Sequence, residues 1–428
     1  MIHATSAECA LGGTDIFSTP PTQTAVIKRS TVHVYPSPSI IDDTPIELYV
    51  AASDEHYTSL IHALNLEVEI VKSDGSALVA DDKVGFVNFP LHALFSQVDV
   101  FINETLVTTS ANTYSYAAAI EKLLTYDKDT LETQFSSELV ALDTAGSFNV
   151  IGDTNEGFKK RSGYTKLSKN VELRGSLHIP ILRLDRLLIN QCSLKLKLYP
   201  NNRKFYLMAA ADDYKVKIKS ARLELEKMTI NPDVLNEHAV KLQKQNAIYP
   251  LRRGDIKTFS IPTGNSNIIK ENMFMGKLPR RLVIGLVDSS AFNGDITKSP
   301  FEFKTCGLNY LCAYVDGDRY PNKAFTPDYD NGRYMDCFHS LYDGTGTLNE
   351  DRTLSIDRDD YIKGYALYII RLSPGEPDCM AYELTQKGNI RLEMKFKSPL
   401  TSTVTAIVYA EYDDQLEIDH DRNVMIDV

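Results

Sequence analysis

Alternation of apolar and polar residues with a period of two recurs along most of this 428-residue chain. The pattern is clearest at residues 64–70, 194–198 and 390–396, where every second side chain is apolar. Such alternation predicts β-strands that turn one face to a core and the other to water. Residues 282–287 and 365–370 are apolar on both faces, which predicts central strands covered on both sides. The chain is therefore predicted to consist mainly of strands.

A change of phase marks one of these strands. Apolar residues fall at even positions up to Ile218 and at odd positions from Ala221 onwards. One extra residue in a strand has this effect, because it moves every later side chain to the other face. We therefore expect a β-bulge near Ser220.

A few short segments have helical patterns instead. An apolar stripe predicts a helix that begins near Tyr114, and it consists of Tyr116, Ile120, Leu123 and Leu124. Within residues 127–139, Leu131 and Phe135 lie four positions apart, which predicts a second helical segment. We expect the loss of either side chain to impair the folding of the helical segment between the strands that contains them.

A third helix is predicted near the midpoint of the chain. Asn231 is placed to cap it and Pro232 stands in its first turn, so that the helix covers residues 232–242. It separates two strand-rich halves and is interpreted as their connector, at residues 231–250. Residues 1–27 show no sustained period and are interpreted as an extended N-terminal arm.

The two halves also repeat one arrangement. A strand-like run ends at Asn103-Glu104 in the first half and at Asp316-Gly317 in the second, and both pairs are hairpin-turn signals. In each half a loop and a short helical segment follow the turn. The turns are almost half the chain apart, which predicts two β-sandwich domains of about 200 residues each.

Composition places the chain among folded proteins. Hydrophobic residues make up 43% of it and charged residues 24%, which excludes a disordered protein. The formal net charge of −11 argues against a dedicated nucleic-acid binder. The first residues lack a basic and apolar leader, and no apolar run approaches a membrane span, so neither secretion nor stable membrane insertion is expected.

The cysteines indicate free thiols in a reducing compartment. None of the six forms a C-x-x-C pair, which removes the usual zinc and thioredoxin spacings. If Cys306 and Cys312 share one strand, they face the same side of it. We expect buried free thiols at Cys9, Cys192, Cys306, Cys312, Cys337 and Cys379.

The search for catalytic and metal-binding motifs gives no candidate residues. Residues 328–332 resemble a calcium loop, but the glycine is one position early and no closing glutamate follows, so a solvated turn is favoured. His33, His92 and His178 lie in strand-like or apolar surroundings, which favours structural, hydrogen-bonded histidines. We predict no catalytic, cofactor-binding or metal-binding residue, no cofactor, and no enzymatic activity.

Two functions of other classes remain as alternatives. A β-sandwich enzyme acting on glycans needs a carboxylate pair, which a chain with 57 acidic residues can supply. The absence of tryptophan weakens this alternative, because tryptophan is a favoured platform for sugars. A secreted adhesion module would need a signal peptide and disulfides, and neither is visible in the sequence.

Charge is uneven in two places. Four lysines and Arg161 form a basic strip in a segment interpreted as a loop, and the lysines are Lys159, Lys160, Lys166 and Lys169. Residues 411–428 hold seven acidic residues against Arg422. These segments are solvated surfaces, or complementary patches that meet between subunits. A DNA-facing basic strip is a third alternative.

Several segments resemble one family of viral proteins. Residues 89–105 resemble a strand pair of double jelly-roll major capsid proteins. Residues 391–411 resemble the family's final strands, with Lys-Ser-Pro before a short turn and Ile-Val-Tyr-Ala after it, and residues 415–418 resemble the last strand. Residues 15–24 and 249–253 resemble blocks of the Maverick/Polinton and adintovirus-like branch, which includes copies resident in animal genomes.

The resemblance implies an all-β fold of two consecutive eight-stranded jelly rolls with short helices between strands. It divides the chain into an arm at 1–27, a first jelly roll at 28–230, a connector at 231–250, and a second jelly roll with an acidic C-terminal tail at 251–428. The N-terminal arm is expected to become ordered only in an assembled shell.

The resemblance also implies a function. Family members form homotrimeric, pseudo-hexameric capsomers that tile an icosahedral shell around double-stranded DNA. The implied partners are further copies of the chain and vertex or minor capsid proteins, with DNA contacted only indirectly. The implied location is the virion, after synthesis in the host cytoplasm and assembly in the nucleus. A minor or vertex capsid protein and a domesticated capsid-derived protein are closer alternatives.

Overall fold

The computed structural model describes residues 12–14, 16–17, 19–37, 40–41, 44–351, 353–375 and 381–426. Residues 1–11, 15 and 18 of the predicted arm lie outside these residues, and so do Cys379, Asp427 and Val428; Cys9 is among the arm residues left out. The strands of the first half are β1 (Val26–Val34), β2 (Ile46–Val50), β3 (His56–Lys72), β4 (Val84–Phe86), β5 (Phe95–Ile102), β6 (Thr105–Leu106), β7 (Val171–Gly175), β8 (Leu194–Pro200), β9 (Leu207–Ala209) and β10 (Tyr214–Ile230). Those of the second half are β11 (Ala247–Ile261), β12 (Asn267–Lys277), β13 (Arg281–Asp288), β14 (Leu308–Val315), β15 (Asp318–Phe325), β16 (Leu367–Arg371), β17 (Lys387–Phe396), β18 (Val404–Ile418) and β19 (Val424–Ile426).

Short helices occupy the connections between strands. The α-helices are α1 (Pro90–Ala93), α2 (Tyr114–Thr125), α3 (Lys128–Thr133), α4 (Glu156–Thr165), α5 (Arg203–Tyr206), α6 (Pro232–Leu242), α7 (Ser289–Asn293), α8 (Met335–Thr345) and α9 (Arg358–Tyr361). Single 3-10 turns lie at Gly12–Thr14, Gln134–Glu138, Lys166–Ser168, Pro180–Arg183 and Tyr329–Asn331.

Each half of the chain forms two antiparallel sheets. In the first half, sheet A has the strand order β1-β10-β3-β7 and sheet B the order β2-β8-β5-β6, while β4 and β9 form a separate pair. In the second half, sheet C has the order β11-β18-β13-β16, with β19 added to β18, and sheet D has the order β12-β17-β14-β15. The same order of equivalent strands recurs in both halves, and it is that of an eight-stranded jelly roll. The predicted double jelly roll is confirmed.

The alternating patterns place their apolar residues in the cores of these sandwiches. Leu64, Leu66, Val68 and Ile70 on β3 are all fully buried, as are the equivalent positions of β8 and β17. Residues 282–287 lie on β13, a central strand, as predicted. The prediction of a central strand at 365–370 is wrong, because β16 is the edge strand of sheet C. Helix α8 packs against β16 and explains the apolar residues on both faces of this strand.

Local sequence signals also fix the irregular points of the sheets. The pairing of β10 with β3 shifts register between Ile218 and Ser220, which confirms the predicted β-bulge. Asn103 and Glu104 both have positive φ angles, 46° and 68°, in the turn between β5 and β6. Asp316 and Gly317 have φ angles of 49° and 103° in the equivalent turn between β14 and β15. Positive φ at both central residues is the geometry of a tight hairpin turn that matches the strand twist.

The predicted connector helix is present as α6. The side chain of Asn231 accepts a hydrogen bond from the backbone N–H of Asp233, and Pro232 is the first helical residue. Helix α6 has no fully buried residue, and the ring of its His238 stacks on Tyr57 at 5.9 Å between centroids. The helix therefore lies on the surface of the first half.

The segment predicted as one helix at 127–139 is divided in two. Asp127 caps α3, a 3-10 turn follows, and Leu139 ends the segment with a φ of 61°. Leu131 is fully buried, whereas Phe135 is partly buried and lies under the ammonium group of Lys122, 3.7 Å from the ring centroid.

Replacing Leu131 by alanine is expected to lower the free energy of unfolding by about 2–5 kcal/mol, because a fully buried side chain leaves a cavity. Urea unfolding followed by fluorescence measures the change. Val240→Ala on the exposed side of α6 is the control and should change stability by less than about 0.5 kcal/mol. A loss at Leu131 as small as that of the control would contradict the packing described for this helical segment.

Candidate functional site

The two jelly rolls meet at the outer face of sheet C, the face that points away from the core of the second half. The Tyr409 hydroxyl on β18 donates a hydrogen bond to Glu121 Oε1 on α2, at 3.1 Å. At the start of β11, the Tyr249 hydroxyl donates to the Leu187 carbonyl at 3.0 Å and accepts from the Ile189 N–H at 3.1 Å. The first half therefore covers this face with α2 and with the connection between β7 and β8. We call this contact the joint.

Glu121 stands at the centre of the joint. Its Oε2 atom is 3.1 Å from His178 Nδ1 and 3.0 Å from Arg183 Nη1, both on the connection between β7 and β8. Burial raises the pKa of Glu121, although Arg183 and the Tyr409 hydroxyl act in the opposite direction. Burial also lowers the pKa of His178 well below its usual value. The centre of the joint is thus a largely buried polar contact, in which Arg183 stays partly exposed.

A second buried cluster lies behind the first. Glu138 Oε2 is 2.5 Å from Lys122 Nζ and 3.2 Å from His92 Nε2, and His92 Nδ1 is 2.9 Å from the Tyr114 hydroxyl. Burial lowers the pKa of Lys122 to about 8 and also lowers the pKa of His92. Burial alone would raise the pKa of Glu138, but its hydrogen bonds and the charges beside it lower that pKa to about 2. The predicted structural roles of His92 and His178 are confirmed.

A third buried cluster holds α4 in place within the first half. The Arg161 guanidinium is fully buried, and it donates to Asp143 Oδ1 at 2.6 Å, to the Phe86 carbonyl at 2.9 Å and to the Ala141 carbonyl. From the second half, the Tyr365 hydroxyl donates to the Asp143 carbonyl at 2.8 Å. Arg161 therefore ties α4 to residues 141–143 of the same connection between β6 and β7 and to the end of β4, next to the contact that Tyr365 makes from the second half.

The basic strip at residues 159–169 differs from its prediction. It is not a loop, because Asn155 caps a helix there by accepting a hydrogen bond from the Phe158 N–H. Arg161 does not belong to a solvated surface, because it is fully buried. The four lysines do lie on the surface, on α4 and on the turn that follows it.

The acidic stretch after residue 410 is not a tail, because it continues β18 of sheet C as far as Ile418. Its first three acids are buried and paired within the chain. Glu411 binds Arg281 at 2.7 Å, Asp413 binds Arg280 at 3.1 Å and Asp414 binds Arg253 at 2.9 Å between carboxylate oxygen and guanidinium nitrogen. These acids therefore do not form a patch that meets another subunit.

The remaining sequence candidates lie apart from the joint. His33 is half-exposed, 3.6 Å from Glu224. Cys192, Cys312 and Cys337 are buried free thiols, as predicted. Cys306 is partly buried and precedes β14 with a φ of 50°, so it does not share that strand with Cys312.

The segment that resembles a calcium loop, residues 328–332, forms a 3-10 turn in which Asp328 accepts a hydrogen bond from Arg333 at 2.6 Å. Within the described part of the chain, no group of three or more His, Cys, Asp and Glu side chains is placed to hold a metal ion. No helix in that part of the chain has the length and apolar character of a membrane span.

Gly254 on β11 is required by the close approach of the Tyr409 ring. A Cβ atom at this position would lie 2.5 Å from Tyr409 Cε2. Gly254→Ala is therefore expected to displace the ring from Glu121 and to lower the free energy of unfolding by about 1–3 kcal/mol. Thermal unfolding measures the loss. Gly163→Ala on α4, where a Cβ would meet no atom within 4 Å, is the matched control and should be neutral or stabilising.

Comparisons with known proteins identify the fold. No family model matches the chain. The uncharacterized protein F54H12.2 of Caenorhabditis elegans is 28% identical over 353 residues, which are 80% of this chain and 81% of that protein. A chain of the Sputnik virophage structure matches with a TM-score of 0.65 and 12% identity, over 99% of this chain and 93% of that chain.

Two further solved structures show the same similarity. The mavirus major capsid protein matches with a TM-score of 0.59 and 12% identity, over 100% of this chain and 96% of that chain. The faustovirus major capsid protein matches with a TM-score of 0.61 and 8% identity, over 94% of this chain and 92% of that chain. The chain therefore has the double jelly-roll fold found in viral major capsid proteins.

Proposed function

We propose that the chain is a structural capsid protein whose copies associate into homotrimeric, pseudo-hexameric capsomers. These capsomers would tile an icosahedral shell around double-stranded DNA, with the DNA contacted only indirectly. The similarity to mavirus and faustovirus major capsid proteins supports the capsid role. A comparison of two equivalent faces within the chain supports the self-association.

The observation that carries the proposal is that equivalent sheets of the two halves are covered unequally. On sheet C, the outer-face residues Tyr409 and Glu411 of β18 are buried by the joint. Strand β10 is the equivalent of β18 in sheet A, and its outer-face residues Lys217, Arg222 and Glu224 stay partly exposed. One copy of the jelly roll has a neighbour on this face, and the other copy presents the same face to solvent.

The outer face of sheet A is an organised polar surface. Glu224 pairs with Arg174 at 2.5 Å and with Arg222 at 2.8 Å, and Arg174 donates to Asn65 Oδ1 at 3.1 Å. Two buried donors at its centre, Asn65 Nδ2 and Arg222 Nε, have no hydrogen-bond partner among the described residues. An unpaired buried donor is costly, so acceptors from a neighbouring molecule on this face would stabilise both groups.

Repetition of the joint between chains would complete that face. The first half covers sheet C within one chain, and the second half of a neighbour would cover sheet A in the same way. Such a head-to-tail contact produces a ring when the rotation closes. Three chains supply six similar sandwiches, which gives the pseudo-hexameric outline.

The finer assignments extend the proposal. The branch is that of the Maverick/Polinton and adintovirus-like elements, and the animal relative is consistent with a branch that includes genome-resident copies. The location is the virion, after nuclear assembly, and the other partners are vertex or minor capsid proteins. The chain divides into an arm at 1–27, jelly rolls at 28–230 and 251–428, and a connector at 231–250.

A domesticated capsid-derived protein is the second candidate, because the curated relative belongs to an animal. Both candidates retain the self-associating fold, so the two are separated by what the protein encloses. Nuclease-resistant DNA in purified particles supports the viral shell, and particles or trimers without DNA support the domesticated protein.

The solution mass of the purified protein tests the proposal. Light scattering should give three times the mass of one chain, and negative-stain images of the same fraction should show hexagonal outlines. A protein that stays monomeric at every salt and protein concentration would refute the capsomer.

A pair of variants tests which face associates. Ala63→Trp places a large ring on the outer face of sheet A, beside Glu224 in the register of β3 and β10, and should prevent trimer formation. Ala239→Trp on the exposed side of α6 is the matched control and should leave the trimer intact.

A further inference from the structure

A basic patch stands at one end of sheet A. It consists of the exposed side chains of α4 and the turn after it, which are Lys159, Lys160, Tyr164, Lys166, Leu167 and Lys169. Tyr164 and Leu167 are 55% and 53% exposed, so two large apolar side chains lie among the lysines. Within the described residues, the one ion pair of these lysines joins Lys159 to the exposed Asp153, at 3.1 Å.

The basic patch is held rigidly. Leu167 and Ser168 both have positive φ angles, 57° and 53°, which is an uncommon conformation for residues with side chains. The Ser168 hydroxyl donates to the Ile70 carbonyl at 2.7 Å and accepts from the Leu78 N–H at 2.8 Å. The turn is therefore anchored to the end of β3 and directs Leu167 into solvent.

An acidic lobe of the second half matches the basic patch in composition. It is the segment 343–351, which consists of the end of α8 and the start of the connection to α9, with three acidic residues and no basic one before Arg352. Asp343 pairs with Arg371 at 3.3 Å, whereas Glu350 and Asp351 are exposed and have no ion pair within the described part of the chain. Leu348, in the same lobe, is 37% exposed.

Contacts inside the chain show how such segments meet. The segment just before β16, residues 353–366, touches the long connection between β6 and β7. The Gly146 N–H donates to the Lys363 carbonyl at 2.7 Å, and the Ser355 hydroxyl donates to the Leu123 carbonyl at 3.4 Å. In each half, the segment before the sixth strand of the jelly roll (β7 or β16) is therefore a candidate for contact with the long connection before the sixth strand of the adjacent jelly roll.

The equivalent segment of the first half is the one just before β7, residues 155–170, which carries the basic patch. Inside the chain, the touched connection is the one between β6 and β7. Its counterpart in the second half is the connection between β15 and β16, which carries the acidic lobe. Repetition of the internal contact between two chains would bring the patch and the lobe together.

We propose that the basic patch docks on the acidic lobe of a second copy of the chain. Tyr164 and Leu167 pack against Leu348 of that copy, and the lysines flank Glu350 and Asp351 of that copy. The inference rests on the proposed function, because it places one contact of the ring. Opposite charges at the edge of an interface steer association and fix its register.

Charge reversal with rescue tests the contact. The first variant carries Lys160→Glu and Lys166→Glu, and the second carries Glu350→Lys and Asp351→Lys. Each should weaken trimer formation at low salt by about tenfold or more, and the combined variant should recover it. High salt should reduce the differences, because it screens exposed charges. Sedimentation of fluorescently labelled protein at nanomolar concentration measures the association constants.

The control carries Lys241→Glu and Lys244→Glu on and after α6, which change the net charge by the same amount as the first variant. It should associate like the unchanged protein. Trimers of normal stability in both reversed variants, equal weakening by the control, or failure of the combined variant to recover would overturn the inference and leave the proposed trimer in place. A protein that forms no trimer under any condition would refute the proposed function itself.

Discussion

Replacing Arg161 by methionine is expected to lower the free energy of unfolding by about 3–5 kcal/mol, the largest loss we expect from a single substitution in this chain. The substitution leaves Asp143 as a buried charge without its partner, and it leaves the Phe86 and Ala141 carbonyls without their donor. Methionine fills much of the volume of arginine, so the loss reports on the ion pair and hydrogen bonds more than on a cavity. Equilibrium unfolding in guanidinium chloride measures it.

Two further substitutions show whether that interpretation is correct. Arg161→Lys retains the charge but loses the planar fork, and an intermediate loss is expected because one ammonium group cannot reach three acceptors in different directions. Lys160→Met, one residue earlier on the exposed side of α4, should change stability by less than about 0.5 kcal/mol. A loss for Arg161→Met of that same small size would mean that the buried pair adds little.

Acidification from pH 7 to pH 5 is expected to destabilise the protein steeply. Burial lowers the pKa of His62, His92 and His178 in the folded state, and their pKa in the unfolded chain is about 6.5. Below that pH the histidines of the unfolded chain become protonated, whereas the buried histidines of the folded protein stay neutral. The free energy of unfolding therefore falls as the pH falls. Each such proton changes the slope by about 1.4 kcal/mol per pH unit.

Glu121 acts in the opposite direction. Its folded pKa is raised, so the folded protein takes up a proton at a pH where the unfolded chain has not yet done so. Three histidines oppose one carboxyl group, so stability is expected to fall on balance between pH 7 and pH 5. Urea midpoints at pH 7, 6 and 5 measure how stability depends on pH. His178→Gln should reduce this dependence by the contribution of about one proton. Stability that is constant or rising toward pH 5 would contradict the buried, neutral histidines.

Local signals in the sequence predict much of the fold. The alternation on β3, the bulge near Ser220 and the paired turns at Asn103 and Asp316 each depend on residues within a few positions of one another. Such features require no knowledge of distant parts of the chain, because side-chain period and backbone preference act locally. The predicted arrangement of two equivalent halves came from the order of these features.

The buried charges could not be predicted in the same way. Lys122 lies on a turn of α2 near Ser115 and Ala118, whose small side chains are the one local sign that its face is buried. Its partner Glu138 is sixteen residues away. Between the two residues, the sequence predicts one helical segment where the structure has α3 followed by a 3-10 turn. A charge in the core depends on such a partner, and a distant partner leaves no periodic signal.

The charged segments show the same limit at longer range. The sequence predicts an acidic surface at residues 411–414, because no basic residue stands beside them in the sequence. In sheet C, the register of β13 and β18 sets Arg281 directly opposite Glu411. Here the register between two strands more than a hundred residues apart in sequence decides whether a charged side chain is solvated or buried. The distribution of charges along the sequence does not reveal that register.

The position of α6 has a consequence for how the gene could be divided. The helix lies on the surface and contributes no fully buried residue, whereas the joint is built from α2, β11, β18 and the connection between β7 and β8. The covalent link through α6 is thus separate from the contact that holds the halves together. The link keeps the effective concentration of each half around the other in about the millimolar range. We therefore expect two polypeptides divided after α6 and produced in one cell to associate through the joint into the same two-domain fold.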